Sequence, residues 1–250
     1  MKKSAPEVLC MGEILIDFVA SPSGQKLVES ETFVRKPGGA PANVAVGLSR
    51  LGRPSAFIGM VGDDAFGDFL RQTLENEEVD VSLLSVTEEQ PTTLAFVALD
   101  KNGVPSFSFY RHPGADLSIR PEDIQSKLFE TAKLFHFGSL SLVQDPGRET
   151  TYHCLDLAES MNLPVSYDPN YRPALWASES AAIESMCAPL DRVDLLKVSE
   201  EELLLLTGET DLEKACRKIA SRGPEILVVT LGAEGLFGWT PDFSERVPGV

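Results

Sequence analysis

Apolar and polar positions along this chain follow two rhythms that take turns. Short, largely apolar runs stand at residues 8–11, 55–61, 133–137, 164–168, 193–198 and 225–229. Runs of this length, bounded by glycine or proline, read as strands buried on both faces. Between them the apolar spacing changes to three and four residues. Val44, Gly47, Leu48 and Leu51 fall on one helical face, and Phe69, Leu70 and Leu74 do the same in a helix reaching about Glu75. Further helices are predicted over 146–161 and from Ser199 to Leu206, where Thr207-Gly208 stops the pattern. Strands alternating with helices predict a doubly wound α/β domain, built on a mostly parallel sheet covered on both faces.

One stretch breaks the rhythm. Residues 93–99 and 106–110 are extended runs flanking Asp100-Lys101-Asn102-Gly103, and the Asn-Gly step is a strong hairpin signal. Phe107 and Phe109 alternate with Ser106, Ser108 and Tyr110, so one face of the second run is apolar. Residues 29–35 also look extended. These pieces predict a small antiparallel β-sheet lid made of inserts at about 24–36 and 91–112; a hairpin appended to the sheet edge is the simpler alternative. The chain has no internal repeat, low-complexity tract or linker, so residues 1–250 are read as one domain.

Composition narrows the partners. The 250 residues include 38 acidic and 22 basic side chains, a formal charge of −16, which repels nucleic acid and anionic membrane. No stretch is long and apolar enough for a transmembrane helix, and the first residues lack the apolar core of a signal peptide. The four cysteines (Cys10, Cys154, Cys187, Cys216) and three histidines (His112, His136, His153) form neither C-x-x-C nor H-E-x-x-H. A reduced, cytoplasmic protein is expected. His136, within an apolar run, is read as a core histidine.

The candidate chemistry begins at P-G-G-A-P-A-N-V-A-V-G-L-S-R-L-G, residues 37–52. Gly38 and Gly39 let the backbone approach a ligand closely, directly before a helix. Pro41 suits the first turn, and Asn43 can reach the same ligand with its amide. Asp17 is placed just past the first strand, where open α/β sheets bind ligands, and its carboxylate can accept two hydroxyl hydrogen bonds. Asp168-Pro-Asn170-Tyr-Arg172, Lys197 with Glu202, and Thr230-x-Gly232-x-x-Gly235 also follow strand ends. Arg172 offers a fork for phosphate oxygens, Glu202 a carboxylate for hydrated magnesium, and the glycine turn backbone donors for phosphate. Each also has a plain structural reading: Asp17 as a turn cap, Arg172 as a surface ion pair, Ser199 to Glu202 as a capping box. The glycines at 59, 62 and 67 do not make the dinucleotide fingerprint. Together the groups suggest a polyol meeting a nucleotide.

These pieces resemble a known family. M-G-E-I-L-I-D-F, the glycine stretch above, V-G-D-D-A-F-G, F-Y-R-H-P-G-A-D, D-P-N-Y-R-P-A-L-W, K-V-S-E-E-E-L-x-x-L-T-G and V-T-L-G-A-E-G run in order across nearly the whole chain. The chain is similar to sugar kinases of the ribokinase (PfkB) superfamily, and most to fructokinases. The resemblance implies a ribokinase-like fold with a β-sheet lid, often a dimer interface. It implies ATP, magnesium, in many relatives potassium, and phosphate transfer to fructose. Sugar contacts would fall on Asp17, Gly38, Gly39 and Asn43, with Arg111 from the lid. Phosphate and nucleotide contacts would fall on Asn170, Arg172, Lys197, Thr230, Gly232 and Gly235, with Glu202 toward the metal. Ser199 replaces the family's usual asparagine in N-x-x-E. The signature D-T-x-G-A-G-D, which supplies the catalytic base, is not in this sequence. The expectation is that the family's base lies beyond Val250, so that the chain is cut short before that motif and inactive alone. A 2-keto-3-deoxygluconate kinase and a non-catalytic sugar-binding or regulatory protein are the competing readings.

Overall fold

Nearly every run read as a buried strand is a strand of one large sheet. The computed structural model describes residues 5–101 and 103–249. Its elements begin with β1 (Val8–Met11), β2 (Leu15–Ala20), β3 (Phe33–Gly38) and α1 (Ala40–Arg50). Next come β4 (Ser55–Gly62), α2 (Ala65–Asn76), β5 (Asp80–Thr87), β6 (Leu94–Leu99) and β7 (Pro105–Tyr110). The α/β alternation resumes with β8 (Leu134–Gly138), α3 (Gly147–Ser160), β9 (Val165–Asp168), α4 (Glu179–Cys187) and β10 (Leu195–Ser199). It ends with α5 (Glu200–Thr207), α6 (Leu212–Ala220), β11 (Ile226–Thr230), β12 (Leu236–Trp239) and β13 (Ser244–Val247).

Nine strands pair in the order β13-β12-β11-β10-β9-β8-β1-β4-β5. All neighbours from β11 to β5 are parallel, and β12 and β13 add an antiparallel edge. The period of two along β1 splits the core. Leu9 and Met11 join Ile58, Phe137, Tyr167 and Val198 on one face of the sheet. Cys10 joins Ile14, Phe57, Ala45 and Leu70 on the other. Both faces being covered is why these strands read as unbroken apolar runs. The wide rings of Phe137 and Tyr167 stack at 4.4 Å in the middle of the larger cluster. His136 is buried as expected, with Nδ1 3.1 Å from Ser166 Oγ.

The second sheet has the order β3-β2-β6-β7. It differs from expectation in three ways. One inner strand is β2, which the sequence reading leaves as the stretch leading from the first strand to Asp17; Gly12, at φ +148°, turns the chain from one sheet to the other. Asp17 therefore lies within a lid strand rather than in a turn beyond β1. The β2–β6 pairing is parallel, so the lid is mixed rather than antiparallel. The first insert contributes β3, shifted toward the glycines. Two positions that the sequence reading uses, the turn residue Asn102 and the last residue Val250, lie outside the described residues. Strands β5, β12 and β13 and helices α4 and α6 do not stand out by pattern. β5 mixes Asp80, Ser82 and Ser85 among its apolar residues because it is an edge strand.

Tyr167 is fully buried, and its hydroxyl has no hydrogen-bond partner among the described residues. An unpaired buried hydroxyl costs about 1–3 kcal/mol. Tyr167→Phe, which keeps the ring stack, should raise the unfolding free energy by about 1 kcal/mol in urea titration. A loss of stability would show that the hydroxyl is paired in solution.

Candidate active site

Strands β9, β10 and β11 end along one edge, where Ser199 and Thr230 are register partners and Asp168 stands level with Lys197. The loop after β9 is fixed from both ends. Asp168 accepts the Asn170 N–H at 3.2 Å and pairs with Lys197 Nζ at 3.0 Å. Asn170 takes φ +46°, a conformation asparagine tolerates. Glu202 Oε1 accepts the Tyr171 N–H at 2.6 Å, and Oε2 accepts the Ser199 N–H at 2.8 Å. Ser199 Oγ in turn accepts the Glu202 N–H at 3.1 Å, completing a capping box at the start of α5. Arg172 follows, its guanidinium donating to the Tyr171 carbonyl at 3.0 Å. It forms no ion pair among the described residues. A cleft of about 430 Å³ opens here, lined by Asn170, Tyr171, Arg172, Lys197, Ser199, Glu201, Glu202 and Leu205. A larger cavity, about 740 Å³, lies at the opposite edge around Val165, Arg192 and Asp194. Arg192 is already engaged there by Asp156 and Glu159, and ligands of parallel sheets bind beyond the carboxyl ends, so the smaller cleft is the candidate site.

The lid comes up to the cleft at Arg172. By strand register Asp17, Phe107 and Phe109 share one lid face. That face meets Arg172, whose guanidinium carbon lies 5.7 Å from the Phe107 ring centre. Burial pushes the half-buried Asp17 carboxyl upward from its ordinary value, and the Arg172 charge opposes the rise. Gly38 is glycine for a visible reason: a Cβ there would lie 2.2 Å from Asp17 Oδ2. Gly39, at φ +110°, precedes α1, and a Cβ there would lie 2.3 Å from the Glu13 carbonyl oxygen. Asn43 is exposed early in α1. The other lid face packs on α2, with Arg35 3.7 Å over the Phe69 ring and Phe18 edge-on to Phe66.

Two expected site residues have other work. Arg111 is only 2% exposed. Its Nε and Nη2 bind Asp116 Oδ2 at 2.9 and 2.5 Å, and Nη2 also donates to the Leu140 carbonyl. Where the resemblance gives it a sugar contact, the structure makes it a buried anchor with its Nε and Nη2 engaged inside the fold. Gly235 is packed against the Val247 carbonyl, 2.1 Å from a hypothetical Cβ, so its glycine serves the β11–β12 turn. Gly232, at φ +59°, faces open space, and Thr230 sits one strand over from Ser199. Neither lines the cleft itself. Glu202 is the capping carboxylate first and foremost. Among the described residues no three His, Cys, Asp or Glu side chains gather as a metal site. The expectation of a base beyond Val250 falls outside the described residues, and the carboxylates lining the cleft are Glu201 and the amide-bound Glu202.

Pattern reading misses Glu13. It is 3% exposed, and Oε1 accepts the Ala40 N–H, the first amide of α1, at 2.8 Å. The signal is a charge inside the otherwise apolar M-G-E-I-L-I.

A lid carboxylate and glycine backbone thus stand near an arginine and a lysine on the edge of a parallel sheet, groups suited to hydroxyls and to phosphate oxygens. The chain belongs to the family of pfkB family carbohydrate kinases, whose model matches residues 5–250. It is 42% identical over 246 residues to probable fructokinase-7 of Arabidopsis thaliana, covering 97% of this chain and 72% of that protein. The fructokinase of Xylella fastidiosa with bound ATP superposes with a TM-score of 0.87 at 37% identity, over 96% of this chain and 73% of that one. A fructokinase double mutant of Vibrio cholerae, holding fructose, ADP and potassium, gives 0.88 at 33% identity, over 100% and 77%.

Burial raises the Glu13 carboxyl from 4.5 to about 7, with the Ala40 amide and Arg111 opposing and Asp116 reinforcing the rise. Between those values the folded protein keeps a proton that the unfolded chain has released. Stability therefore falls as pH climbs from about 4.5 to 7 and levels off above, by about 3 kcal/mol in total. Glu13→Gln holds no such proton. Its unfolding free energy relative to the parent should rise by about 2–3 kcal/mol between pH 5 and pH 8. A pH-independent difference in urea titrations would mean that Glu13 stays ionised in the fold.

Proposed function

We propose that this chain is of the fructokinase type, binding fructose between the lid and α1 and directing the γ-phosphate of ATP to its primary hydroxyl, giving fructose 6-phosphate. The observation that carries this is Asp17 on the lid face that meets Arg172: a hydroxyl acceptor within reach of the charge of a cation without an ion-pair partner among the described residues. Similarity to fructokinases over nearly the whole chain supports the choice of sugar. Asp17 accepts the sugar hydroxyls, Gly38 and Gly39 bring backbone against the ring, and Asn43 adds an amide. Arg172 and Lys197, with Asn170, receive phosphate oxygens. Thr230 and Gly232 extend that wall toward the nucleotide. Magnesium, when bound, neutralises phosphate charge; Glu202, with both oxygens already held by amides, suits a hydrated ion reached through water. We assign the dimer expected of the lid to the face that packs on α2, in the part beyond that contact, where exposed Tyr110 lies against Phe96, itself against Phe33.

None of these residues is placed to take the proton of the sugar hydroxyl. The D-T-x-G-A-G-D motif that holds the base in relatives is not in these 250 residues. A positioned base contributes about 10²–10⁴-fold, so the 250-residue chain alone should phosphorylate fructose near background. Robust ATP-dependent formation of fructose 6-phosphate by the purified chain, host kinases excluded, would overturn this.

Binding separates the assignments. Asp17→Ala should weaken fructose binding by about 1.5–3 kcal/mol, the range of a charge-assisted hydrogen bond, and leave nucleotide binding unchanged in calorimetric titration. A panel with 2-keto-3-deoxygluconate tests the sugar. Preference for the acid over fructose would replace the reading.

A further inference from the structure

We propose that Glu13 is the positioning residue that joins the sugar loop to the lid, its carboxyl fixing the first turn of α1 beside the buried pair that anchors the lid hairpin. The inference rests on the reading of Gly38, Gly39 and Asn43 as sugar contacts.

Helix starts are ordinarily capped by small, half-exposed side chains. Here a long carboxylate reaches from the β1–β2 loop, far away in sequence, and is almost wholly buried to do so. The approach is prepared on both sides. A Cβ at Gly12 would lie 2.6 Å from Pro41 Cγ, and a Cβ at Gly39 would meet the Glu13 carbonyl. The β1–β2 loop is therefore pressed against the start of α1, and the carboxyl closes the contact. Oε1 takes the Ala40 N–H, while Oε2 has no partner among the described residues. A buried carboxyl with one oxygen unsatisfied is a costly way to cap a helix.

Its charged surroundings link it to the lid. Arg111 and Asp116, on the segment leaving β7, are the charged groups that act on it. Asp116 also accepts the Thr93 hydroxyl at the root of β6. The Thr93 carbonyl in turn accepts the Ile16 N–H at 3.0 Å, in β2. Glu13 leads into β2, and Ala40 follows β3. All four lid strands thus leave the core around one buried cluster, with the sugar loop held at its rim by Glu13.

The test compares Glu13→Gln, which keeps the length and one oxygen acceptor, with Glu13→Met, which keeps the length alone. Both are made in the 250-residue chain and measured by amide hydrogen exchange and by titration with D-fructose and ATP. Glu13→Met should speed exchange at Ala40, Ala42 and Asn43, leaving β8 to β10 as in the parent. It should weaken fructose binding about tenfold or more, the cost of leaving the buried Ala40 amide without its acceptor, and change ATP binding less than about twofold. Glu13→Gln should restore both properties. Unchanged exchange at 40–43 in Glu13→Met overturns the proposal. So does faster exchange throughout the molecule with fructose and ATP weakened alike, which is the mark of a merely structural residue. A parent chain that binds no fructose defeats the sugar reading instead, and the exchange comparison still decides whether Glu13 holds the loop.

Discussion

The lid stands over the sheet edge because one buried carboxylate grips both ends of its hairpin. Asp116 takes the Thr93 hydroxyl before β6 and the Arg111 fork after β7, and Arg111 carries the grip on to the Leu140 carbonyl in the core. Both charges are almost fully buried. Such a pair adds little net stability against an apolar replacement, yet losing one partner costs about 3–5 kcal/mol because the other is stranded. Its value is directional: it defines where two strands of a four-stranded sheet leave the body. Gly114 lies so close to Thr93 and Asp116 that a Cβ would overlap both. The G-A-D in the sequence is thus a hinge base.

From that constraint the site follows. A parallel sheet delivers its strand ends to one edge, and β9, β10 and β11 bring Asp168, Ser199 and Thr230 there without further design. Those ends alone offer cations and amides but no acceptor aimed at a polyol. The lid contributes it, because Asp17 lies on the face of β2 that looks back at Arg172. The two halves of the site therefore sit on different sheets, and their separation depends on the buried cluster beneath the lid.

The sequence makes the large sheet legible and blurs the lid, for one reason. Strands buried on both faces leave unbroken apolar runs, so β1, β4, β8, β9, β10 and β11 stand out. β2 follows β1 after a short loop, so it reads as the connection past the first strand unless Gly12 is known to turn the chain into a second sheet. Asp17 is legible as a site residue, but pattern places it in a turn. Arg172, Lys197 and Asn170 come together as read, since strand ends in a parallel sheet must. Arg111 misleads because an arginine closing an exposed hairpin looks free, and its partner Asp116 belongs to another turn. Glu13 escapes because a lone charge in an apolar run looks like an interruption, whereas here it is the group on which the start of α1 depends.

The charge balance of the cleft obeys the same division between sheet and lid. The chain carries −16 overall, so a triphosphate must be met by local cations. His136 adds none, since burial and the Lys197 charge hold it down to about 4 and keep it neutral. Lys197 is partly engaged by Asp168. Arg172 is then the cation with charge to give, and it is turned toward the lid, where it offsets the upward push of burial on Asp17. On the proposed reading one arginine meets both substrates: its charge opposes the push of burial on the sugar acceptor, and it stands where phosphate oxygens would arrive.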